Sequence, residues 1–463
     1  MTGVFASKMK SIHITNYYHK NSGGISTAYN KLLEAANRRG RYVRLIVPGE
    51  RTEIEDVGDF GRIYYVKCRY SPVFDKRYRV MMPWNTYILD KSPIKKILRE
   101  EQPDLIEIGE KYTLSLMAGL IRTGIMSVSM NRPMLVHLSC ERMDDNIRAF
   151  VSAGRMSKQF SRGFIRNYVF PMFDFHVTNS DYTAGELLDA VSSDDKSTKN
   201  NRFLNFCWRL LHAPKTPVGE RVFVNQCGVD NETFTISRQN SETRRQILQE
   251  YGLPENSKLL LYAGRISPEK NIALLPELME ILASDSRNDY RLLIAGSGPK
   301  AGWLSDECKK YEKECFLIML GHLTDKEKLA NLFANCDAFV HPNPREPFGI
   351  APLEAMASGL PVVAPNSGGV LSYANSKNAW LAEPTAKAFA DAINDIFSGD
   401  GQREGKIARG LETSAEYTWE SSTDTIFALY DKMYSEFSRN RSLYDYDNEP
   451  KVFDFAREFR SNS

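Results

Sequence analysis

The segment that most constrains the fold runs from Asn343 to Pro365 and reads NPREPFGIAPLEAMASGLPVVAP. It follows one apolar stretch, Ala338–His341, and ends in another, Pro361–Ala364, which indicates two strands joined by a loop and a helix. Residues 350–358 suit the helix, Gly359 fits the position just after it, and the next proline stops it. A strand, a helix and a second strand in this order form the repeating unit of parallel sheets.

The same alternation of short apolar runs and amphipathic segments continues along the rest of the chain. Further strands are predicted at Ser11–Thr15, Tyr42–Pro48, Asp104–Gly109, Pro133–Ser139, His176–Asn179, Lys258–Gly264, Arg291–Gly296 and Cys315–Leu320. Short apolar strands with helical crossovers favour parallel sheets covered on both faces. We therefore expect an α/β protein of two doubly wound, Rossmann-like domains that face each other across a cleft, with ligands at the carboxyl ends of the strands.

The predicted domains are residues 1–230, 231–416 and 417–463. Regular apolar patterning lapses between Asp230 and Glu242, which indicates the joint between the first two. The stretch Val191–Gly219 is polar and irregular and is interpreted as an insertion or long loop. The last segment has helical periodicity, which predicts a helix that packs back on the domains.

Bulk composition excludes several classes of protein. The chain has 463 residues, 42% of them hydrophobic and 25% charged, and a formal net charge of +2, which gives no reason to expect a nucleic-acid partner. No stretch approaches the roughly 20 apolar residues that span a bilayer, and the N-terminus lacks the apolar core of a secretory signal. Seven scattered cysteines without a CxxC pair predict neither a disulfide framework nor a zinc site. A cytoplasmic location is expected.

Two glutamates in the first segment suit a ligand that carries hydroxyl and phosphate groups. Glu346 precedes the predicted helix and Glu354 lies inside it, so both can reach one ligand from different ends. Free N–H groups at the helix N-terminus favour phosphate, and carboxylates accept hydrogen bonds from sugar hydroxyls. Taken alone, the pair is equally compatible with two surface glutamates that bind nothing.

Within EPFGIAPLEAMASGLPVVA, the pair resembles the E-x7-E signature of retaining glycosyltransferases with the GT-B fold, the group 1 or family 4 set. The resemblance implies that Glu346 contacts the donor sugar and Glu354 the ribose. It also implies donor contacts from Phe348, Gly349 and Ile350, where the helix begins.

A second segment, LLLYAGRISPEKN at 259–271, matches the same family in order. Arg265 and Lys270 follow a strand, and two cations there suit a diphosphate, because Arg binds two oxygens at once. The resemblance makes them the diphosphate clamp and catalytic residues, whereas the alternative is two solvated surface cations. The family often has Gly where this chain has Asn271, which concerns backbone freedom only.

Two glycine turns extend the predicted donor site. The family binds the nucleotide base through backbone near a turn that matches Gly321, His322 and Leu323. Gly23 and Gly24 open the first helix, and the resemblance places them against the donor diphosphate from across the cleft. No GxGxxG pattern is present here, and no acidic residue ends the next predicted strand, Tyr42–Pro48, which disfavours hydride transfer.

His137 is predicted at the end of the strand MLVHLS. A lone His in a strand is usually a core residue, but the carboxyl end of a strand is where ligands bind. The resemblance puts a His close to the transferred sugar, so His137 is included among the catalytic residues.

Residues 146–173 contain several cations, no acidic residue, and an aromatic series that includes Phe160 and Phe164. Two interpretations remain open. One is docking on anionic lipid at the inner face of a membrane, with a lipid-linked acceptor. The other, slightly favoured, is a helix buried on its aromatic side with solvated or phosphate-binding cations. Lys76–Trp84 is a second basic and aromatic patch.

The expected reaction is transfer of a hexose from a UDP- or GDP-linked sugar to a hydroxyl acceptor in glycan or glycolipid assembly. The protein must stabilise the leaving diphosphate, and no carboxylate nucleophile is evident. The resemblance implies front-face attack with retention. No metal or other cofactor is expected, because Arg265 and Lys270 replace a metal and the Asp445–Asp447 triplet lies in a polar tail. An epimerase, a phosphorylase and a non-catalytic nucleotide-sugar binder are the alternatives.

Overall fold

The computed structural model describes residues 9–18, 23–71, 79–126, 132–150, 155–191, 202–284, 288–310, 316–399 and 401–444. The strands are β1 Ser11–Ile14, β2 Val43–Gly49, β3 Glu53–Val57, β4 Gly61–Lys67, β5 Arg69–Tyr70, β6 Arg79–Val80, β7 Leu105–Ile108, β8 Met134–Ser139, β9 Phe175–Thr178, β10 Val222–Val224, β11 Lys258–Ala263, β12 Tyr290–Ala295, β13 Leu317–Gly321, β14 Ala338–Val340, β15 Val362–Pro365 and β16 Trp380–Ala382. The helices are α1 Gly24–Arg39, α2 Pro93–Glu101, α3 Ser115–Arg122, α4 Met143–Phe150, α5 Arg155–Phe164, α6 Asp181–Asp189, α7 Arg202–Leu210, α8 Ser241–Glu250, α9 Leu274–Ala283, α10 Ala301–Lys309, α11 Lys326–Asn335, α12 Ile350–Ala357, α13 Ala386–Ile396, α14 Gln402–Glu416, α15 Trp419–Arg439 and α16 Arg441–Tyr444.

The chain divides into two compact units. The first comprises Met1–Asp144, Gly154–Asn225 and Thr423–Ser463, and the second comprises Asp145–Ala153 and Gln226–Ser422. The sequence placed the corresponding divisions after residues 230 and 416.

An eight-stranded sheet forms the centre of the first unit, in the order β10-β9-β8-β7-β1-β2-β4-β3. All neighbours pair in parallel except β3, which runs antiparallel to β4 at the edge. The sequence did not predict β3 or β4, and it expected helices to connect the strands. Because β3 is an edge strand that exposes most of its residues, it lacks the apolar pattern that marks the central strands.

Two separate hydrophobic clusters cover the two faces of this sheet. One combines Ile12, Ile46 and Ile106 of the strands with residues of α2, α3 and α6 and with Trp208 of α7. The other combines strand residues that point the opposite way with α1 and the second half of α15. Alternate side chains of a buried parallel strand face opposite layers, so one sheet supports both clusters. The helix α7 lies in the stretch 191–219, for which the sequence predicted an insertion or loop.

A six-stranded, wholly parallel sheet forms the centre of the second unit, in the order β13-β12-β11-β14-β15-β16. Its two faces are covered by one cluster that includes α11 and α12 and another that includes α9 and α13. The predicted α/β class with parallel sheets is confirmed. Strand order reverses between β11 and β14, which is where open α/β sheets bind ligands.

Candidate functional site

The candidate site lies where β11 and β14 end, at the point of strand reversal in the second sheet. The two strands are parallel neighbours, with Leu260 opposite Ala338 and Leu261 opposite Phe339. Their carboxyl ends therefore meet at one edge. The loop after β11 carries Lys270, and the loop after β14 carries Glu346.

The side chains of Lys270 and Glu346 meet directly. The Lys270 ammonium donates to both carboxylate oxygens of Glu346, at 2.9 Å and 2.7 Å. The lysine is one-quarter exposed and the glutamate mostly buried. An ammonium has three N–H groups, so this pairing leaves one of them for a ligand.

Two residues that the sequence interpretation overlooked complete this cluster. Asn343 Nδ2 donates to Glu346 Oε2 at 2.8 Å, while its Oδ1 accepts from the backbone N–H of Arg345. His341 Nε2 lies 3.8 Å from the same carboxylate oxygen and has no hydrogen-bond partner among the described residues. Both are buried. Their position between the end of β14 and Glu346 was the available signal.

The electrostatics of the cluster keep Glu346 ionised. Burial alone would raise the pKa of this carboxyl, but Lys270, His341 and Asn343 together lower it to about 2. Burial lowers the pKa of His341 to about 4, so this imidazole is neutral at neutral pH. The site thus holds one fixed anion, one fixed cation and one neutral imidazole.

The loop that carries Lys270 is fixed by its backbone. Lys270 ends a short 3₁₀ turn, and Asn271 follows with φ of 53° in the left-handed region. Asn is one of the few residues besides Gly that adopt this conformation readily, and here its side chain also donates to the Pro342 carbonyl. Earlier in the same loop, the Arg265 carbonyl accepts from the Tyr262 hydroxyl. Asn271 therefore replaces glycine without loss of the turn.

The glycine turn after β12 packs against the backbone of the β11 loop. A Cβ atom on Gly296 would lie 1.9 Å from the Gly264 carbonyl oxygen, and one on Gly298 would lie 2.1 Å from that of Ile266. Only glycine fits positions this close to another backbone. The glycines at both positions of the sequence Gly296-Ser297-Gly298 thus have a steric cause. The Gly296 N–H also donates to the Gly321 carbonyl, which links the turn to the end of β13.

The loop after β14 leads into α12 as predicted. Gly349 has φ of 90° and Ile350 begins the helix, with Gly349 held by the Tyr373 hydroxyl, which donates to its carbonyl. Phe348 is buried, and its ring packs against that of Tyr373 at 5.2 Å. Free N–H groups of α12 point away from the helix body at this end, which suits an anion.

Glu354 lies in α12, one helical turn beyond Ile350. Its side chain is partly exposed, and its carboxylate accepts no hydrogen bond within the described part of the chain. Burial raises the pKa of this carboxyl to about 7, with Lys326 opposing the shift and Asp230 adding to it. A partly exposed carboxylate that accepts no hydrogen bond from the described residues is available to ligand hydroxyls.

The predicted base-binding turn lies at the end of β13. Gly321 is the last residue of that strand and has φ of 70°, His322 is exposed and Leu323 is partly buried. These positions belong to the same edge of the sheet as the Lys270 and Glu346 loops. Their contact with a base remains a prediction.

Gly23 and Gly24 belong to the first unit. Gly23 precedes α1 with φ of 94°, Gly24 is the first residue of that helix, and both are exposed. Their predicted contact with the diphosphate remains a prediction.

His137 lies inside β8 and is fully buried, two residues before the strand ends. Its Nδ1 lies 3.3 Å from Nδ1 of His176 on β9, and its ring packs against Phe173. Burial holds the pKa of both imidazoles well below the usual range. The structure thus places His137 in a core environment, and its role beside the sugar stays a prediction.

Further sequence predictions concern metals and membranes. Among the described residues, no three His, Cys, Asp or Glu side chains are arranged to hold a metal ion. The triplet Asp445–Asp447 lies outside the described residues, as do 151–154 within the basic segment. Across the described ranges, no helix combines the length and apolar character needed to cross a bilayer.

Comparison with known proteins shows similarity to glycosyltransferases. Residues 243–412 match the family described as glycosyl transferases group 1. The chain is 25% identical over 426 residues to a GDP-mannose-dependent alpha-(1-6)-phosphatidylinositol dimannoside mannosyltransferase of Mycobacterium tuberculosis, covering 92% of this chain and 97% of that protein.

Solved structures agree on the fold. Sucrose-phosphate synthase from Thermosynechococcus elongatus superposes with a TM-score of 0.67 at 18% identity, over 92% of this chain and all of the other. HepE of Anabaena, in complex with UDP and glucose, gives a TM-score of 0.62 at 16% identity, over 91% of this chain and all of HepE. The fold is therefore GT-B.

Proposed function

We propose that this chain, whose residues 243–412 match the group 1 glycosyl transferases, moves a hexose with retention from a UDP- or GDP-linked sugar to a hydroxyl acceptor in glycan or glycolipid assembly. The observation that carries the proposal is the ionised Glu346, held by Lys270 and Asn343 at the strand reversal of the second sheet.

Glu346 has the properties of a sugar-binding acceptor. Its pKa of about 2 keeps it anionic, so it accepts hydrogen bonds from donor-sugar hydroxyls at any physiological pH. The same low basicity and the engagement of both oxygens make it a poor nucleophile. This favours a mechanism without a covalent sugar intermediate.

The leaving diphosphate needs positive charge. We assign this role to Arg265, the remaining N–H of Lys270, and the N-terminus of α12 after Phe348. In the proposed step, the acceptor oxygen bonds to the anomeric carbon on the face from which the phosphate departs. The carbon–oxygen bond to phosphate breaks, and the departing phosphate takes the acceptor proton. These fixed cations are proposed to act in place of a metal ion.

Only the similarity to known proteins limits the choice of nucleotide and of acceptor. The Mycobacterium tuberculosis relative is named for GDP-mannose and a phosphatidylinositol acceptor, whereas HepE is described with UDP and glucose. Both nucleotides therefore stay within the proposal, with Glu354 on the ribose and backbone at Gly321–Leu323 near the base.

The test begins with a thermal-shift screen of nucleoside diphosphates and their sugars, since binding to the folded state raises the melting temperature. The donor that binds is then incubated with and without candidate acceptors. Release of free nucleoside diphosphate that depends on acceptor supports transfer. Formation of an isomeric sugar without acceptor would establish an epimerase. Release of the nucleoside diphosphate that requires inorganic phosphate would establish a phosphorylase. Binding of the donor without turnover would establish a non-catalytic binder.

A further inference from the structure

One helical layer of the first unit has an apolar outer surface. The helices and turns that pack on the Ile12, Ile46 and Ile106 side of the sheet expose Trp84, Leu89, Ile125, Phe160, Leu188, Phe206 and Leu210. Trp84 is 68% exposed and Phe160 61%. In the opposite layer, the described residues of α1 and α15 expose no large hydrophobic side chain, and α16 exposes Leu443 at 36%. Ordinary protein surfaces expose single hydrophobic residues at scattered positions. Their concentration on one layer of the unit therefore requires an explanation.

Helix α5 is oriented against its own amphipathic pattern. Ser157 and Ser161 are buried, and Ser161 Oγ donates to Glu186 of α6 at 2.8 Å, whereas Phe160 faces solvent. The expectation that this helix buries its aromatic side is therefore wrong for Phe160. Its neighbour Phe164 is only partly buried, and the two rings stack at 6.5 Å.

Helices α5, α6 and α7 form one continuous part of this surface. Lys158 and Arg162 lie 3.4 Å and 3.8 Å from Asp189, which follows Leu188 on α6. On α7, Trp208 is buried and its indole N–H donates to the carbonyl of Arg166, in the turn that continues α5.

Because Trp208 holds one face of α7 against the unit, the opposite face of this helix is exposed to solvent. Phe206 and Leu210 are four residues apart, so they lie on the same side of the helix, and both are exposed.

The turn formed by Trp84–Ile88, here called the Trp84 turn, joins the same surface beside the carboxyl end of β7. The Tyr87 hydroxyl donates to the Thr113 carbonyl, and the Tyr168 hydroxyl donates to the Tyr112 carbonyl at 2.8 Å. The Tyr112 ring also lies 6.3 Å from that of Phe164. The loop after β7 is thus flanked by both aromatic segments, at an edge of the sheet where ligands bind.

The charge of this surface selects its partner. Residues 155–169 contain four basic residues and 202–210 contain two, and neither segment has an acidic residue, whereas α6 between them contributes Asp181, Glu186 and Asp189. Arg166 is buried, and Asp189 lies beside Lys158 and Arg162. Lys158 is half-exposed and Arg209 exposed. A symmetric contact with a second copy would bring these cations together, because the same patch meets itself across a two-fold axis. Exposed aromatic and leucine side chains on helices that also carry Lys158 and Arg209 suit the interface of an anionic bilayer.

We propose that the outer surface formed by the Trp84 turn, α5, α6 and α7 docks on an anionic lipid membrane. Apolar side chains enter the interface, and the cations contact lipid phosphates. The docking stands on this surface alone. Its consequence, that the acceptor is presented from the bilayer, rests on the proposed function.

The test is co-sedimentation of the full chain with vesicles of phosphatidylcholine, with or without 30% phosphatidylglycerol (a composition of about one anionic lipid in three). Binding is expected only to the anionic vesicles and is expected to weaken with salt. Phe206→Ser with Leu210→Ser, and separately Lys158→Glu, should each lower the bound fraction at least about fivefold.

Two matched controls separate this surface from general effects. Ile54→Ser removes an equally exposed hydrophobic residue from edge strand β3 of the same unit, and Lys377→Glu reverses an exposed charge in the second unit. Both should bind vesicles like the wild type, and all variants should show the wild-type melting temperature.

Three outcomes would overturn the proposal: no binding to anionic vesicles, equal losses in the controls, or a dimer in solution that Phe206→Ser with Leu210→Ser dissociates. Vesicle binding is measured without donor, so its failure leaves the donor assay unaffected. The converse also holds, which keeps the two proposals distinguishable.

Discussion

Lys270 Nζ lies 2.9 Å and 2.7 Å from the two carboxylate oxygens of Glu346, although the residues are 76 positions apart in the chain. The pair joins the loops that follow β11 and β14, the two strands between which the sheet order reverses. It fixes the Glu346 carboxylate before any ligand binds, which is the preorganisation that the proposed sugar contact requires.

Replacing Glu346 by Gln should lower sugar transfer by about 100- to 1,000-fold, the usual effect of removing one preorganised electrostatic contact. Nucleoside diphosphate binding should remain, because the sugar contact is lost and the diphosphate contacts are not. Steady-state transfer rates and thermal shifts measure the two effects. Glu383→Gln, at an exposed position of the same unit, is the control. Activity that persists in the Glu346 variant would refute the assignment.

Replacing Asn343 by Asp should lower transfer by about 10- to 100-fold. The change keeps the oxygen that accepts from the Arg345 N–H but replaces the donor to Glu346 with a second carboxylate. Loss of a hydrogen bond to a charged group costs about 1.5–3 kcal/mol, and the added repulsion raises the pKa of Glu346. The acid limb of the pH–rate profile should therefore move upward. A wild-type profile would indicate that Asn343 only shapes the turn.

Nucleotide binding should weaken as the pH falls from 8 to 6, through Glu354. Burial raises the pKa of this carboxyl to about 7, and only the ionised form accepts two ribose hydroxyls. The ionised fraction falls about tenfold over this range, so Kd should rise by up to about tenfold. Isothermal titration calorimetry of the wild type and of Glu354→Gln isolates the contribution of Glu354 to the pH dependence of Kd. Protonation of the diphosphate affects both proteins equally. With a dideoxy nucleotide, which lacks the ribose hydroxyls, the pH dependence of Kd should be the same for the two proteins. Parallel pH curves for the natural nucleotide would exclude Glu354 from the ribose site.

Replacing Gly296 by Ala should destabilise the second unit by about 1–3 kcal/mol and weaken donor binding. The added Cβ would lie 1.9 Å from the Gly264 carbonyl oxygen, so one loop must move. Gly302→Ala is the matched control, because that position lies in α10 with nothing near its Cβ, and alanine favours a helix. Urea unfolding compares the two. Similar stabilities for both variants would mean that the β11 and β12 loops separate readily.

Stability should fall as the pH drops below about 6.5, owing in part to His137 and His176. Burial lowers the pKa of both in the folded state, whereas both protonate near 6.5 when unfolded. The unfolded state therefore binds more protons below pH 6.5. The contribution of the two imidazoles to the free energy of unfolding is fully present above that pH. Below it, this contribution falls by up to about 1.4 kcal/mol per pH unit for each imidazole.

Urea titrations at pH 7.5 and 5.5 check this prediction. Joint replacement of His137 and His176 by Leu should flatten the pH dependence, while His322→Leu at an exposed position should leave it unchanged. An unchanged slope in the double variant would mean that these imidazoles are not buried as neutral groups.

Local sequence was sufficient for the elements that carry most of the site. Apolar runs bounded by glycine and proline predicted β11, β12, β14 and α12 nearly to the residue, because burial on both faces requires continuous apolar strands. The same positions of glycine and proline predicted that Lys270 and Glu346 lie on loops at the ends of strands. Edge strand β3 was missed, since an exposed strand does not need that pattern.

By itself, the sequence determined the α/β class, the parallel strands and the positions of the charged loops, because these follow from the periodicity of neighbouring residues. Only the tertiary structure decided that Asn343 and His341 surround Glu346, that His137 is buried beside His176, and that Phe160 faces solvent. These outcomes depend on which strands become neighbours and which helix face finds a hydrogen-bond partner. Such choices are made between residues far apart in the chain, so no local pattern encodes them.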